Sequence, residues 1–192
     1  MTKPSLKKNF LYNILYQFLI LVIPLITSPY LTRTLGVTSL GTYTVSQAFA
    51  NYFTLFILLG LNNYGNREIA KYRDDRTKLR RTFWEIYTFQ MAMLILVELL
   101  YLFVVTFCIH EDKIIYYLQA IYVFSAGLDI NWYCFGTERF KLTVTRNAVI
   151  KIVSTALVFL CVNKETDLWI YTLIITTSTL LSQAILWPFV IK

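Results

Sequence analysis

Long apolar runs alternate with short polar segments along the whole chain, and six of the runs are long enough to cross a membrane. A helix rises about 1.5 Å per residue, so a hydrocarbon core of about 30 Å needs about 20 residues. The runs are continuous, whereas membrane barrels show alternating segments of about 10 residues, so the pattern predicts helices. We therefore predict an all-α, polytopic integral membrane protein in which residues 1–192 form one membrane domain. The predicted transmembrane helices cover residues 9–31, 40–61, 83–109, 114–135, 147–162 and 168–190, with approximate ends.

The positions of lysine and arginine predict the orientation of these helices. Of the 18 basic residues, 14 lie before the first run, in segments 62–82 and 136–146, or at the carboxyl terminus, and only Arg33, Lys113 and Lys164 lie in the alternate loops. Cytoplasmic loops retain positive charge, so the pattern predicts that both ends of the chain are cytoplasmic.

Composition narrows the function classes. With 57% hydrophobic and 15% charged residues, the chain is too apolar for a disordered or an ordinary soluble protein. The net charge of +7 comes from residues between the apolar runs, so membrane orientation accounts for it without nucleic-acid binding. The single histidine and three dispersed cysteines have no metal-ligand spacing, and a phosphate-binding glycine loop is missing. We predict a protein that is not an enzyme and that needs no metal or cofactor.

Polar residues form a stripe along three of the predicted helices. In lipid such a stripe is unfavourable, so it faces either neighbouring helices or a hydrated cavity, and both interpretations stay open. Pro24 and Pro29 also weaken the first helix, which is consistent with a bend or with a static kink. The stripes are Asn9, Asn13 and Gln17 in the first run, Tyr43, Gln47, Asn51 and Thr54 in the second, and Thr172, Thr176, Thr179 and Gln183 in the sixth.

Ionisable residues also lie inside the predicted helices, where a charge must face protein or water. Glu98 is the deepest of them, and it is either a neutral hydrogen-bonding group or a transport residue. Asp129 and Lys151 could pair across neighbouring helices, although Lys151 is also close enough to the cytoplasmic end to reach the interface.

Segment 62–82 mixes seven basic residues with acidic and apolar ones. This pattern predicts an amphipathic helix at an anionic membrane surface. Its role is either orientation and anchoring or recognition of a headgroup or partner.

Three motifs in this order resemble one family of transporters. They are PYLTRTLGVTSLGTY at 29–43, YGNREIAKYRDD at 64–75 followed by FWEI at 83–86, and LDINWYCFGTERFKLTVTRN at 128–147. Together they are similar to the amino-terminal half of the bacterial polysaccharide flippases, which export O-antigen, capsule or exopolysaccharide repeat units. That family belongs to the multidrug/oligosaccharidyl-lipid/polysaccharide exporter superfamily.

The resemblance implies a six-helix lobe that acts with a second lobe around a central cavity in the bacterial cytoplasmic membrane. The second lobe would be a split partner or another copy of the chain. The implied partners are membrane lipid and the substrate, an undecaprenyl-pyrophosphate-linked oligosaccharide. Candidate substrate-binding residues are Arg33, Lys151, Arg146, Asn13, Gln17, Gln47 and Asn51, and candidates for ion coupling or pairing are Glu98 and Asp129.

Two other functions stay open at this point. A drug/cation antiporter lobe of the same superfamily would depend on Glu98 and Asp129 more than on the cations. A truncated, inactive remnant could instead serve as a scaffold for glycan assembly.

Overall fold

A computed structural model describes residues 6–189, apart from the side chains of residues 6–16, 19, 20 and 140. Every regular element in that part of the chain is helical, which confirms the predicted all-α class. Short 3-10 turns, Glu165–Asp167 and Trp187–Phe189, flank the last helix. The helices are α1 (Leu6–Leu58), α2 (Leu61–Lys71), α3 (Arg76–Cys108), α4 (Lys113–Gly127), α5 (Asn131–Gly136), α6 (Phe140–Cys161) and α7 (Leu168–Ala184).

Helix α1 consists of two arms joined at Gly36. This residue has φ 77° and ψ 164°, a conformation that residues with a Cβ atom rarely adopt. A Cβ atom there would also lie 3.3 Å from Oε1 of Glu165. The arms are residues 6–35 and 37–58; the first contains the first predicted helix, 9–31, and the second covers the predicted helix 40–61 up to Leu58. Pro24 and Pro29 lie inside the first arm without interrupting it.

Four helical segments within the described residues are long and apolar enough to cross a membrane: Leu21–Lys71, Arg76–Cys108, Lys141–Cys161 and Glu165–Phe189. The first contains the Gly36 break. Helix α4 has only 15 residues, which corresponds to about 22 Å and is shorter than a hydrocarbon core.

The predicted fourth transmembrane helix, 114–135, is wrong in one respect, because it is not continuous. Helix α4 ends at Gly127 and α5 begins at Asn131. Residues 128–130 between them leave several carbonyl groups without the usual helical donors, and side chains from other helices supply the hydrogen bonds instead.

The predicted amphipathic helix in segment 62–82 is α2. It buries Leu61, Gly65 and Ile69, which lie four residues apart on one face that packs against α5. Helix α3 follows after a short turn, with Asp75 as its N-cap. The backbone N–H groups of Lys78 and Thr77 each donate to Asp75 Oδ1 at 3.1 Å, and the bond from Lys78 contributes most to lowering the pKa of that carboxyl.

Two glycines allow α2 and α5 to pack closely. A Cβ atom on Gly65 would lie 2.8 Å from the Trp132 ring. A Cβ atom on Gly136 would lie 2.7 Å from Cβ of Ile69 and 2.9 Å from the carbonyl oxygen of Asn66. Since one of these neighbours is backbone, the Gly136 contact has little freedom to relax.

Beyond the basic first turns of α3, most of its buried and most of its exposed side chains are apolar. Its buried face includes Phe83, Ile86 and Leu94, whereas Leu99, at 64% exposure, and Phe107, at 66%, point outward. A large apolar surface of this kind suits a hydrocarbon environment.

We expect Gly136→Ala to destabilise the protein by about 1–3 kcal/mol, because the added methyl group overpacks the contact with α2. Gly41→Ala is the matched control, since nothing lies within 4 Å of a Cβ atom at that helical position. It should leave the protein unchanged or slightly more stable. Thermal unfolding in mild detergent measures both, and equal midpoints would contradict the close-packing account.

Candidate functional site

Gln90 connects α3 to the interruption between α4 and α5. The side chain is fully buried, and its Nε2 donates to the carbonyls of Ala126 at 2.8 Å, Gly127 at 3.3 Å and Asp129 at 2.9 Å. The remaining carbonyl, that of Leu128, accepts from Trp187 Nε1 at 3.3 Å. Gln90 and Trp187 therefore supply side-chain donors to four successive carbonyls at the interruption, of which the Ala126 carbonyl also accepts from the backbone N–H of Asp129 at 3.3 Å.

The same glutamine fixes the first turn of α5. Its Oε1 accepts from Nε1 of Trp132 at 3.1 Å, and the Trp132 ring is fully buried against Gly65 of α2. Gln90 thus determines where the indole lies, and the indole in turn forms the surface on which α2 packs.

A second polar network surrounds Arg146 on α6. The side chain is 6% exposed, and its three guanidinium nitrogens donate five hydrogen bonds to nearby acceptors. They are directed at α7, at α5 and at the neighbouring Asn147. The bonds are Nη1 to Ser182 O at 2.7 Å and Gln183 Oε1 at 3.4 Å, Nη2 to Asn131 Oδ1 at 3.2 Å and Asn147 Oδ1 at 2.6 Å, and Nε to Asn147 Oδ1 at 3.0 Å.

Asp129 belongs to the same region. Its Oδ1 accepts from the backbone N–H of Asn131 at 2.8 Å, and Asn131 is also an acceptor for Arg146. None of the ion pairs in the described part of the chain joins Asp129 to Lys151. The suggested pairing of those two residues is therefore not found, because Asp129 lies in the interruption beside α6 and α7 while Lys151 is exposed on α6.

The other predicted cations are exposed. Arg33 lies near the end of the first arm of α1, three residues before the Gly36 break. Neither Arg33 nor Lys151 has an ion-pair partner among the described residues. In the first polar stripe Gln17 is exposed, while the side chain of Asn13 lies outside the described part of the structure.

The stripe on the second arm of α1 makes specific helix contacts. Gln47 accepts from the Tyr43 hydroxyl at 3.0 Å, and Asn51 accepts from the Tyr122 hydroxyl of α4 at 2.8 Å. The Tyr43 ring lies 4.7 Å from that of Tyr171 in α7. The contacts with Tyr122 and Tyr171 join this arm to α4 and α7, while the Asn51 side chain remains exposed, so the stripe combines helix packing with an exposed polar surface.

Glu98 stands apart from these networks. Its Oε2 atom is buried and has no hydrogen-bond partner among the described residues. Gln119 has a similarly unpaired Oε1, and its Nε2 makes only a 3.5 Å contact with Ser46.

Sequence reasoning missed Gln90, Trp132, Trp187 and Asn147. A signal for Gln90 was present, because it occupies a buried face of α3 whose other members, Phe83, Ile86, Leu94 and Val97, are apolar. One polar residue in such a series has to find partners across the helix interface. Nothing in the local sequence indicates that those partners are carbonyls 126–129.

Comparisons with known proteins establish the class. The sequence pattern of the family described as "Polysaccharide biosynthesis protein" matches residues 6–192. The chain belongs to this family, which confirms the predicted kinship with polysaccharide flippases. No solved structure matches the chain significantly.

One curated relative is more specific. The chain is 29% identical over 188 residues to a protein of Escherichia coli (strain K12) described as "Putative O-antigen transporter". The alignment covers 95% of this chain and 45% of the relative, so the chain spans less than half of the relative's length. Together with the apolar helices, this relationship identifies a multi-pass protein of the bacterial inner membrane.

We expect Gln90→Leu to destabilise the protein by at least about 2 kcal/mol, because it leaves buried carbonyls and the Trp132 N–H without partners. Gln119→Leu is the matched control: it also replaces a fully buried glutamine, but one with a single long contact. The loss of stability in Gln119→Leu should be much smaller. Thermal unfolding in detergent compares the two, and equal losses would refute the special role of Gln90.

Arg146→Lys should destabilise the protein by about 1–3 kcal/mol even though it keeps the charge, since an ammonium group has three donors for acceptors that now receive five bonds. Arg139→Lys is the control, because Arg139 is exposed and donates to Phe189 O at 2.9 Å. We expect its effect to stay within about 0.5 kcal/mol. Denaturant titration in mixed micelles distinguishes the variants, and an unchanged Arg146→Lys midpoint would contradict the network.

Proposed function

We propose that this chain is a non-enzymatic lobe of a transporter that moves undecaprenyl-pyrophosphate-linked oligosaccharide repeat units across the cytoplasmic membrane for surface polysaccharide synthesis. The observation that carries the proposal is the alignment of 95% of the chain with a relative described as an O-antigen transporter. The resemblance of motifs 29–43, 64–86 and 128–147 to polysaccharide flippases supports it.

The proposed topology has six crossings with both ends in the cytoplasm. The break at Gly36 divides α1 into two arms of transmembrane length. Helix α4 is short alone, but residues 113–136 with the interruption extend for up to about 36 Å at helical rise. The concentration of basic residues in segments 62–82 and 136–146 supports the orientation.

Substrate recognition is assigned first to the exposed cations Arg33 and Lys151. An exposed charge near lipid needs water or an anion, and a pyrophosphate supplies two strong acceptor groups. Gln17, Gln47 and Asn51, with Asn13, are assigned to the sugar-facing surface. Arg146 is assigned a framework role, because binding an anion would first require it to release existing hydrogen bonds to α5 and α7.

Alternating access around a site at the membrane midplane needs a second lobe. A separate polypeptide, a second copy of this chain or additional covalently linked residues would supply it. The substrate, bound between lobes, would contact the polar side of each.

Complementation tests this function. A strain lacking its O-antigen flippase would express residues 1–192 alone, or together with the part of the Escherichia coli relative that the chain does not match. Restored surface O-antigen in either strain supports transport. If O-antigen returns in neither strain while the protein is inserted and stable, the scaffold alternative is favoured.

In a complemented strain we expect Lys151→Gln to lower surface O-antigen about tenfold or more, because a charge-assisted contact contributes about 1.5–3 kcal/mol. Lys164→Gln is the matched control, since it removes an exposed lysine from the turn between α6 and α7. Immunoblots should show equal protein amounts for both. Equal surface O-antigen in Lys151→Gln and Lys164→Gln would exclude Lys151 from the proposed substrate site.

One observation favours the antiporter alternative, namely the buried Glu98 oxygen that lacks a partner among the described residues. An acid-coupled antiporter would lose activity in Glu98→Gln, which cannot ionise. Our proposal expects that variant to export O-antigen nearly normally. If Glu98→Gln abolishes surface O-antigen while Lys151→Gln leaves it unchanged, the antiporter alternative is favoured.

A further inference from the structure

The first turns of α3 carry basic residues of two different kinds. Lys78 and Arg81 are paired with acidic neighbours, with Lys78 Nζ 3.3 Å from Asp75 and Arg81 Nε 2.7 Å from Glu85. Arg76 and Arg80 are exposed and have no ion-pair partner in the described part of the chain. The local sequence thus leaves two adjacent guanidinium groups, one helical turn apart, open to an external anion.

Trp84 continues the same line one turn further along. The spacing of four residues places Arg76, Arg80 and Trp84 on one side of the helix, and the indole is 47% exposed. Tryptophan is enriched at the level of lipid headgroups, where its apolar ring and its polar N–H both find suitable surroundings. At about 1.5 Å per residue, the two arginines begin about 6 and 12 Å beyond this level.

The exposed surface beyond Trp84 becomes apolar after Thr88. Ile95, seven residues after Thr88, and Leu99, four residues further on, are 59% and 64% exposed. Side chains on a helix lean toward its amino terminus, so Arg76 and Arg80 lean away from this apolar part. Along its length, the exposed surface of α3 therefore passes from unpaired cations through an interfacial tryptophan to apolar side chains, the same order of layers as in a phospholipid leaflet.

We propose that Arg76, Arg80 and Trp84 form a binding site for anionic phospholipid, in which the arginines hold the headgroup phosphate and the indole packs beside the glycerol and upper acyl chains. Guanidinium groups match phosphate oxygens through paired hydrogen bonds. The paired residues Lys78 and Arg81 on the adjoining side do not contribute. This site is separate from the proposed transport residues and does not depend on transport activity.

Native mass spectrometry of the purified full chain can test the proposal by titrating phosphatidylglycerol and phosphatidylcholine with identical acyl chains. The wild-type protein should retain phosphatidylglycerol preferentially. Arg76→Gln/Arg80→Gln should weaken this preference by about fivefold for each arginine removed. The matched control is Lys78→Gln/Arg81→Gln, which removes the same net charge from the same turns and should retain the preference.

Thermal unfolding midpoints in detergent show whether both double variants are folded before binding is compared. Equal loss of phosphatidylglycerol in the two double variants would mean that net charge alone attracts the lipid, and it would overturn the site. Equal retention in both would overturn it as well. A further arm adds inorganic phosphate against sodium chloride of the same ionic strength: displacement of phosphatidylglycerol only by a large excess of phosphate supports the site, whereas displacement by phosphate at the lipid's own concentration would assign the arginines to a free anion.

Discussion

The Gln90 carboxamide lies where three parts of the fold meet. Its donor side satisfies carbonyls of the interrupted segment after α4, and its acceptor side holds the indole of Trp132. A backbone group without a partner is costly inside a membrane protein, so an interruption between α4 and α5 can exist only where side chains replace the missing helical bonds. Gln90, together with Trp187, meets that requirement.

The position of the other parts follows from this arrangement. Trp132 provides the surface against which Gly65 of α2 packs, and the turn that begins α5 directs Asn131 toward Arg146. Arg146 then joins α5 and α6 to the end of α7 through its bonds to Asn131 and Ser182. The result is a polar, closely packed end of the helix bundle whose opposite end is held mainly by apolar contacts, such as those of Leu35 with Val158 and Val162.

The helical class and the amphipathic α2 could be predicted from the sequence because both depend on local periodicity. The interruption in the fourth run could not, because residues 114–135 are apolar enough for one continuous helix and the partners of carbonyls 126–129 lie on α3 and after α7. The prediction of Arg146 as a substrate-binding cation follows from the family resemblance. The acceptors of Arg146 come from residues 131, 147, 182 and 183, and this combination becomes visible only when α5, α6 and α7 are placed together.

We propose that the bundle end built on Gln90, including α2 and the first turns of α3, faces the cytoplasm of a six-crossing lobe. Cysteine accessibility in intact cells tests it most directly, using single cysteines in a background without Cys108, Cys134 and Cys161. A membrane-impermeant maleimide should label Glu111→Cys and Thr166→Cys in intact cells, and should label Ala70→Cys and Thr77→Cys only after the inner membrane is opened. Labelling of Ala70→Cys or Thr77→Cys from outside, with Glu111→Cys and Thr166→Cys protected, would contradict the proposed orientation.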